Sequence, residues 1–202
     1  NKRNFKNKKM LTPEHFRNIK IKEIIFTLVA AGIVSLLIFI TNSFASPVSS
    51  LIFSLTLMAF VMNLLVYIIK KSGVATIFYV FIGMFTFHLL DLGFLGFKKF
   101  FTLLLAGLVF EFVFLFFKKS LPSIRLDLVL GTSISTASIP LITGFILSAR
   151  LASSFPSELI NLTLLGFISG LFSSILAFLF WLKIRKTKRI IELQSYLLCL
   201  AR

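Results

Sequence analysis

Ionisable side chains are rare within the apolar stretches of this chain, so each of them is a candidate for chemistry. His88 and Asp91 are three residues apart, which puts both on one face of a helix. Such a pair acts either as a ligand clamp or proton site, or as two mutually satisfied side chains. Glu111 is alone in the next stretch, where it can carry a proton, meet a partner cation or, when neutral, hydrogen-bond a neighbouring helix. The sequence leaves a functional and a structural carboxyl equally open.

The apolar stretches themselves predict the architecture. There are six, at 24–40, 48–69, 74–95, 100–117, 126–147 and 159–182. A hydrocarbon core of about 30 Å needs about 20 apolar residues in a helix, and these stretches meet or approach that length. The mean hydropathy of +0.98 agrees with such a chain. We therefore expect an all-α, polytopic membrane protein with a basic N-terminal segment and short interfacial helix at 1–22, a six-helix transmembrane domain at 23–182 and a basic tail at 183–202.

The basic residues predict the topology. Nineteen of the 22 lysines and arginines lie before the first span, after the last span, or in the second and fourth gaps. By the positive-inside rule these parts are cytoplasmic, so we expect a multi-pass protein of the cell membrane with both termini inside. Cations that flank spans attract anionic lipid headgroups at the inner face. This placement explains the net charge of +15 without a nucleic-acid partner.

Polar residues gather at the opposite, outer ends of the predicted spans. A solute from outside arrives at that face, so we expect its binding site there. The expected site residues are Asn42, His88, Asp91, Lys98, Lys99, Arg150 and Asn161. The three cations among them favour a solute with an anionic group, although lysines at helix ends often only extend to the membrane interface.

Small residues predict where helices approach closely. They recur every four residues in the first and sixth spans, at Thr27, Ala31 and Ser35 and at Gly166, Gly170 and Ser174. This spacing lets two backbones come together in lipid. Either both stripes join helices within this chain, or one of them docks a different membrane subunit.

The fifth span is the most polar of the six. Hydroxyl residues, Thr136 among them, precede Pro140, and Thr143 and Gly144 follow it. Pro140 frees a backbone carbonyl and is expected to kink the helix. The sequence leaves two interpretations equally open: a helix that lines a cavity, and a helix packed within the bundle.

Several kinds of chemistry have no signature in the sequence. There is no G-x-x-x-x-G-K-[ST] phosphate loop, no H-E-x-x-H motif and no nucleophile elbow. Cys199 is the only cysteine, and His88 is the only histidine within a predicted span. We therefore expect no metal site, no cofactor and no enzymatic activity.

Three passages together resemble the substrate-binding S component of energy-coupling factor (ECF) transporters, with the Trep_Strep type as the nearest subfamily. The stripe Thr27-x-x-x-Ala31-x-x-x-Ser35 is similar to the Ala-x-x-x-Ala motif by which S components dock their coupling subunit, with threonine replacing the first alanine. The run from KKSG through a glycine-bearing helix to AGLVFE, at 70–111, is similar to the family's inner turn and its third and fourth helices. The Gly/Ser helix and basic tail at 166–188 are the third likeness.

The resemblance covers about residues 20 to 188 and implies a division of labour. The chain would capture a scarce micronutrient or vitamin among spans four to six and the first outer loop. A transmembrane coupling subunit, docked at Thr27, Ala31 and Ser35, and ATPase subunits would supply the energy. Two alternatives from other classes remain: a small scaffold of the cell-shape type, and an intramembrane enzyme that uses His88, Asp91 or Glu111.

Overall fold

The computed structural model describes residues 19–93, 95–116, 126–148 and 155–198. This part of the chain consists of helices and short turns: α1 Ile21–Phe44, α2 Pro47–Ile69, α3 Val74–Phe85, α4 Phe97–Phe116, α5 Leu126–Ser148, α6 Phe155–Ile184 and α7 Lys188–Leu198. Five of them, α1, α2, α4, α5 and α6, are long and apolar enough to cross a membrane. The expected all-α class is confirmed, and the helices are consistent with a multi-pass membrane protein. Residues 1–18, which hold most of the interfacial helix expected before α1, lie outside the described residues, and Lys20 directly before α1 is extended, with φ −88° and ψ 154°.

The third predicted span is shorter than expected. It is helical only over Val74–Phe85, and 12 residues rise about 18 Å, well short of the roughly 30 Å hydrocarbon core. The chain then turns rather than continuing: Leu89 N–H donates to Thr86 O at 2.9 Å, and Gly93, with φ 87°, donates to Leu90 O at 3.1 Å. The sequence does not reveal this helix end, because the turns that follow α3 are as apolar as the helix itself.

Contacts between the helices define two ends of the bundle. The start of α1, the α2–α3 turn and α7 meet at one end, which we call the basic end. There the Glu23 carboxylate and the Lys71 ammonium are 2.7 Å apart, and Lys22 Nζ lies 3.9 Å from the ring centroid of Tyr196. The α1–α2 turn and the segment between α3 and α4 belong to the opposite end. This grouping agrees with the expected alternation of gaps, while the side of the membrane that each end faces stays a prediction.

An aromatic pair also joins helices at the basic end. Tyr67, near the end of α2, stacks on Trp181, near the end of α6, with ring centroids 5.7 Å apart and planes 9° from parallel. Trp181 is only 9% exposed. It is therefore a packed residue in the chain, where stacking adds to its apolar burial.

Helices α5 and α6 pack through the small-residue stripe of α6. A Cβ placed on Gly170 would lie 2.1 Å from Thr136 Oγ1 and 2.8 Å from Ser133 Cα. One placed on Gly166 would lie 2.8 Å from the carbonyl oxygen of Thr136, which is the carbonyl that Pro140 leaves without its intrahelical donor. Glycine is thus required for this approach, and the stripe joins helices within the chain.

Hydroxyl groups link α5 and α6 to the rest of the bundle. Ser135 Oγ donates to Ala106 O of α4 at 2.7 Å, and Thr132 Oγ1 lies 2.8 Å from Asn63 Oδ1 of α2. Ser173 Oγ of α6 donates to Thr56 O of α2 at 2.9 Å. In lipid, where no water is available as a partner, such hydrogen bonds satisfy the polar groups. The hydroxyl-rich first half of α5 is therefore packed within the bundle, which is one of the two interpretations that the sequence leaves open for this span.

Candidate functional site

A buried ion pair anchors the segment between α3 and α4. Lys99 Nζ of α4 donates to Asp91 Oδ1, to Thr86 O at 2.8 Å and to Leu89 O at 3.2 Å. Both side chains of the pair are 0% exposed. Three acceptors use all three N–H groups of the ammonium. Lys99 therefore holds the turns after α3 in place.

The expected pairing of His88 with Asp91 is wrong. Because α3 ends at Phe85, the two residues do not share a helical face, and Asp91 pairs with Lys99 instead. His88 is exposed and lines a groove between α1 and α3 together with Ser35 and Phe39.

A cavity of about 270 Å³ lies at the same end of the bundle as this ion pair. Its walls come from the start of α2, the turn at 90–93, the second half of α5 and the first half of α6. Pro140, Thr143 and Gly144 belong to the α5 wall, so this half of α5 does line a cavity. Both interpretations of the polar span thus hold, each for one half of the helix.

The cavity wall is apolar except at two places. Of the described residues that line it, Asp91 is the only ionisable one and Thr143 carries the only hydroxyl. Thr143 Oγ1 already donates to Ile139 O at 2.7 Å. Asp91 Oδ2, in contrast, is buried and has no hydrogen-bond partner among the described residues. A buried acceptor without a donor is unfavourable, so this oxygen is the polar point at which a bound molecule gains most.

The other expected site residues are not gathered around this cavity. Asn42 Oδ1 accepts a hydrogen bond from Ser50 Oγ at 3.1 Å and links α1 to α2, while Lys98 and Asn161 are exposed. Arg150 lies outside the described residues. Of the six residues in the expected set that the structure describes, only Asp91 and Lys99 are joined directly. Since the Lys99 ammonium is fully used within the chain, it gives no support to an anionic solute.

Sequence reasoning missed most of the cavity wall. Pro47, Leu51, Leu159 and Leu162 line it, but apolar residues at helix ends carry no signal that separates a cavity from packed or lipid-facing surface. The clearest indication of a cavity in the sequence is the presence of Pro140 and the small residue Gly144 in the same helix.

The carboxyl of Glu111, in the apolar helix α4, has a structural contact. Its Oε1 accepts a hydrogen bond from the backbone N–H of Ala75, 3.2 Å away, at the start of α3. The residue that precedes α3 is Gly73, which has no side chain to cap the helix. Glu111 of α4 therefore supplies the cap, because the first N–H groups of a helix have no partner within it. Thr136 is likewise engaged, donating to Thr132 O at 2.8 Å.

The small-residue stripe of α1 is buried. Thr27 is 2% exposed, Ala31 0% and Ser35 7%, since this face of α1 packs on α2 and α3. Of the two interpretations left open, the structure shows packing within the chain. Docking of a partner subunit at these three residues stays a prediction.

The described residues contain no group of three or more His, Cys, Asp or Glu side chains that could hold a metal ion. Comparisons of the chain with protein-family models, with curated proteins and with solved structures find no match.

Proposed function

We propose that this chain is the membrane-embedded, substrate-binding subunit of an ATP-driven uptake transporter of the ECF type, with a micronutrient or vitamin as its solute. The observation that carries the proposal is the cavity at one end of the apolar bundle, with Asp91 in its wall. Ligand sites are concave, mostly apolar and oriented by a few polar groups, and this cavity has that character. Its volume of about 270 Å³ suits a small molecule.

The direction of capture follows from charge. Lys70, Lys71 and the cations after α6 are at the basic end, which the positive-inside rule assigns to the cytoplasm. The cavity is at the other end, so it faces the outside, where a scarce solute arrives. Val48 and Leu90 in its wall are 57% and 60% exposed, which leaves the cavity open to an entering molecule.

Uptake against a gradient needs partners. The sequence has no phosphate loop, so nucleotide hydrolysis falls to separate ATPase subunits and a transmembrane coupling subunit. Docking at the Thr27, Ala31 and Ser35 stripe requires α1 to separate from α2 and α3. Otherwise the coupling subunit meets the opposite face of α1, where Ile25 and Ile33 are 55% and 58% exposed.

The test is whether the cavity holds a molecule from the cell. The protein is purified gently from the membrane and its small-molecule content is identified by extraction and mass spectrometry. We expect one molecule in near-stoichiometric amount in the wild type and its loss in Leu51→Trp, which fills the cavity. Ile33→Trp, on the exposed face of α1, is the matched control and keeps the molecule. Equal retention by both variants, or no specific molecule in the wild type, contradicts the proposal.

A further inference from the structure

We infer that the cavity takes an electrically neutral solute with an apolar body and one O–H or N–H group, which donates to Oδ2 of Asp91, the carboxyl oxygen that has no hydrogen-bond partner among the described residues. This inference rests on the proposed function, since it assigns the chemical class of the solute in the same cavity. It differs from the expectation of an anionic solute.

The charge of the wall is the first step. Asp91 is compensated by Lys99, and no other described residue that lines the cavity is ionisable. The wall is therefore neutral overall. A cationic or anionic solute would bring an uncompensated charge into an apolar, partly enclosed space, which is strongly unfavourable.

The polarity of the wall is the second step. Asp91 Oδ1 accepts from Lys99, whereas Oδ2 is buried with no partner among the described residues. A carboxylate oxygen only accepts hydrogen bonds, so the complementary group is a donor. Thr143 directs its own hydroxyl to Ile139 O and does not compete for Oδ2. A neutral donor fits this oxygen without disturbing the charge balance.

The shape of the wall is the third step. Asp91 lies in the turn at 90–93, and all four residues of this turn line the cavity. Gly93 closes the turn with φ 87°, a conformation that side chains disfavour, and no described residue beyond its chain neighbours lies within 4 Å of where its Cβ would be. The side chain of Asp91 is covered in this structure, so we expect the turn at 90–93 to shift when the donor of the solute binds Oδ2.

The experiment compares four probes that share a naphthalene body and differ in the end group. They are an alcohol, 2-(1-naphthyl)ethanol; a hydrocarbon, 1-ethylnaphthalene; a cationic amine, 2-(1-naphthyl)ethylamine; and a carboxylate, the anion of 1-naphthaleneacetic acid. Binding to the full chain in zwitterionic nanodiscs is measured by equilibrium dialysis, with empty nanodiscs subtracted for partition into lipid. We expect the alcohol to bind about three- to tenfold more tightly than the hydrocarbon, as one hydrogen bond implies, and more tightly than either charged probe.

Two variants complete the test. In the double variant Asp91→Leu with Lys99→Met, which removes both charges together, the alcohol should bind no better than the hydrocarbon, while the hydrocarbon still binds and so reports an intact cavity. In Leu51→Trp all four probes should lose binding. A preference for the amine or the carboxylate, or a preference for the alcohol that survives the double variant, overturns the inference and leaves cavity binding standing. Equal binding of the alcohol and the hydrocarbon, or absence of binding by every probe to the wild type, overturns the inference, whereas the proposed function is decided separately by the molecule that copurifies with the protein.

Discussion

Lys99 and Glu111 lie twelve residues apart on α4 and contact opposite ends of α3, a helix of 12 residues. Glu111 accepts from Ala75 N–H at the start of α3, and Lys99 donates to Thr86 O at its end. A helix carries partial positive charge at its N-terminus and partial negative charge at its C-terminus, so each side chain matches the end that it meets. The rise along α4 from Lys99 to Glu111 and the length of α3 are both about 18 Å, so these two side chains of α4 reach both ends of α3.

Removing the carboxyl cap is expected to destabilise α3. Glu111→Leu leaves the first N–H groups of α3 without this acceptor and should lower the free energy of unfolding by about 1–2 kcal/mol. Glu111→Gln is the matched control, since it keeps an acceptor oxygen at nearly the same place and should lose less. The measurement is SDS-driven unfolding in mixed micelles. Equal losses in the two variants would mean that the charge, rather than the hydrogen bond, stabilises α3.

Breaking the buried ion pair from one side is expected to destabilise the protein strongly, and removing both charges is expected to cost less than the two single losses added together. Asp91→Leu or Lys99→Met alone leaves a buried charge without its partner and should lower the unfolding free energy by about 3–5 kcal/mol. The double variant should lose less than the sum of the two single variants, and the same unfolding assay gives this coupling energy. Strict additivity of the two losses would contradict the pairing of Asp91 with Lys99.

The close approach of α5 and α6 predicts a difference between two glycines. Gly170→Ala puts a Cβ 2.1 Å from Thr136 Oγ1 and 2.8 Å from Ser133 Cα, so the helices must move apart, with an expected loss of about 1–3 kcal/mol. Gly32→Ala in α1 is the control, because its nearest neighbour is 3.9 Å away. It should be neutral or slightly stabilising, since alanine favours a helix. Similar behaviour of both variants in thermal unfolding would exclude this packing.

The expected topology is testable by labelling from one side of the membrane. Ser43→Cys at the cavity end should react with an impermeant maleimide added outside intact cells. Lys70→Cys and Lys186→Cys at the basic end should react only after the cells are opened. Each is made in a Cys199→Ser background, which removes the only native thiol. Reaction of Ser43→Cys and Lys186→Cys from the same side would overturn the topology.

Particular residues show how far the sequence predicts this fold. Hydropathy located α1, α2, α4, α5 and α6 within a few residues of their ends, because a lipid-crossing helix must be apolar throughout. It failed at Thr86, where α3 stops inside an apolar run. At this helix end Lys99, thirteen residues further on, donates to the Thr86 carbonyl. No local pattern carries such a contact.

The candidate site was predicted only in part. The sequence predicts Asp91 and Lys99 as members of the polar set at the outer ends of the spans, but their pairing depends on how the turns after α3 fold back on α4. It predicts Glu111 because ionisable residues are rare in apolar segments, whereas the role of Glu111 as a cap depends on where α3 begins. The apolar wall of the cavity had no signal, since Leu51 and Leu159 differ from lipid-facing leucines only in what surrounds them.

The stacking of Tyr67 on Trp181 has a spectroscopic consequence. Trp181 is the single tryptophan of the chain, and it lies at the end of the bundle remote from the cavity. The intrinsic fluorescence of Trp181 therefore reports the packing of α2 against α6 at that end. A solute that binds in the cavity cannot quench this fluorescence by direct contact. A change in emission upon capture would measure a movement relayed lengthwise through the helices, without any added dye.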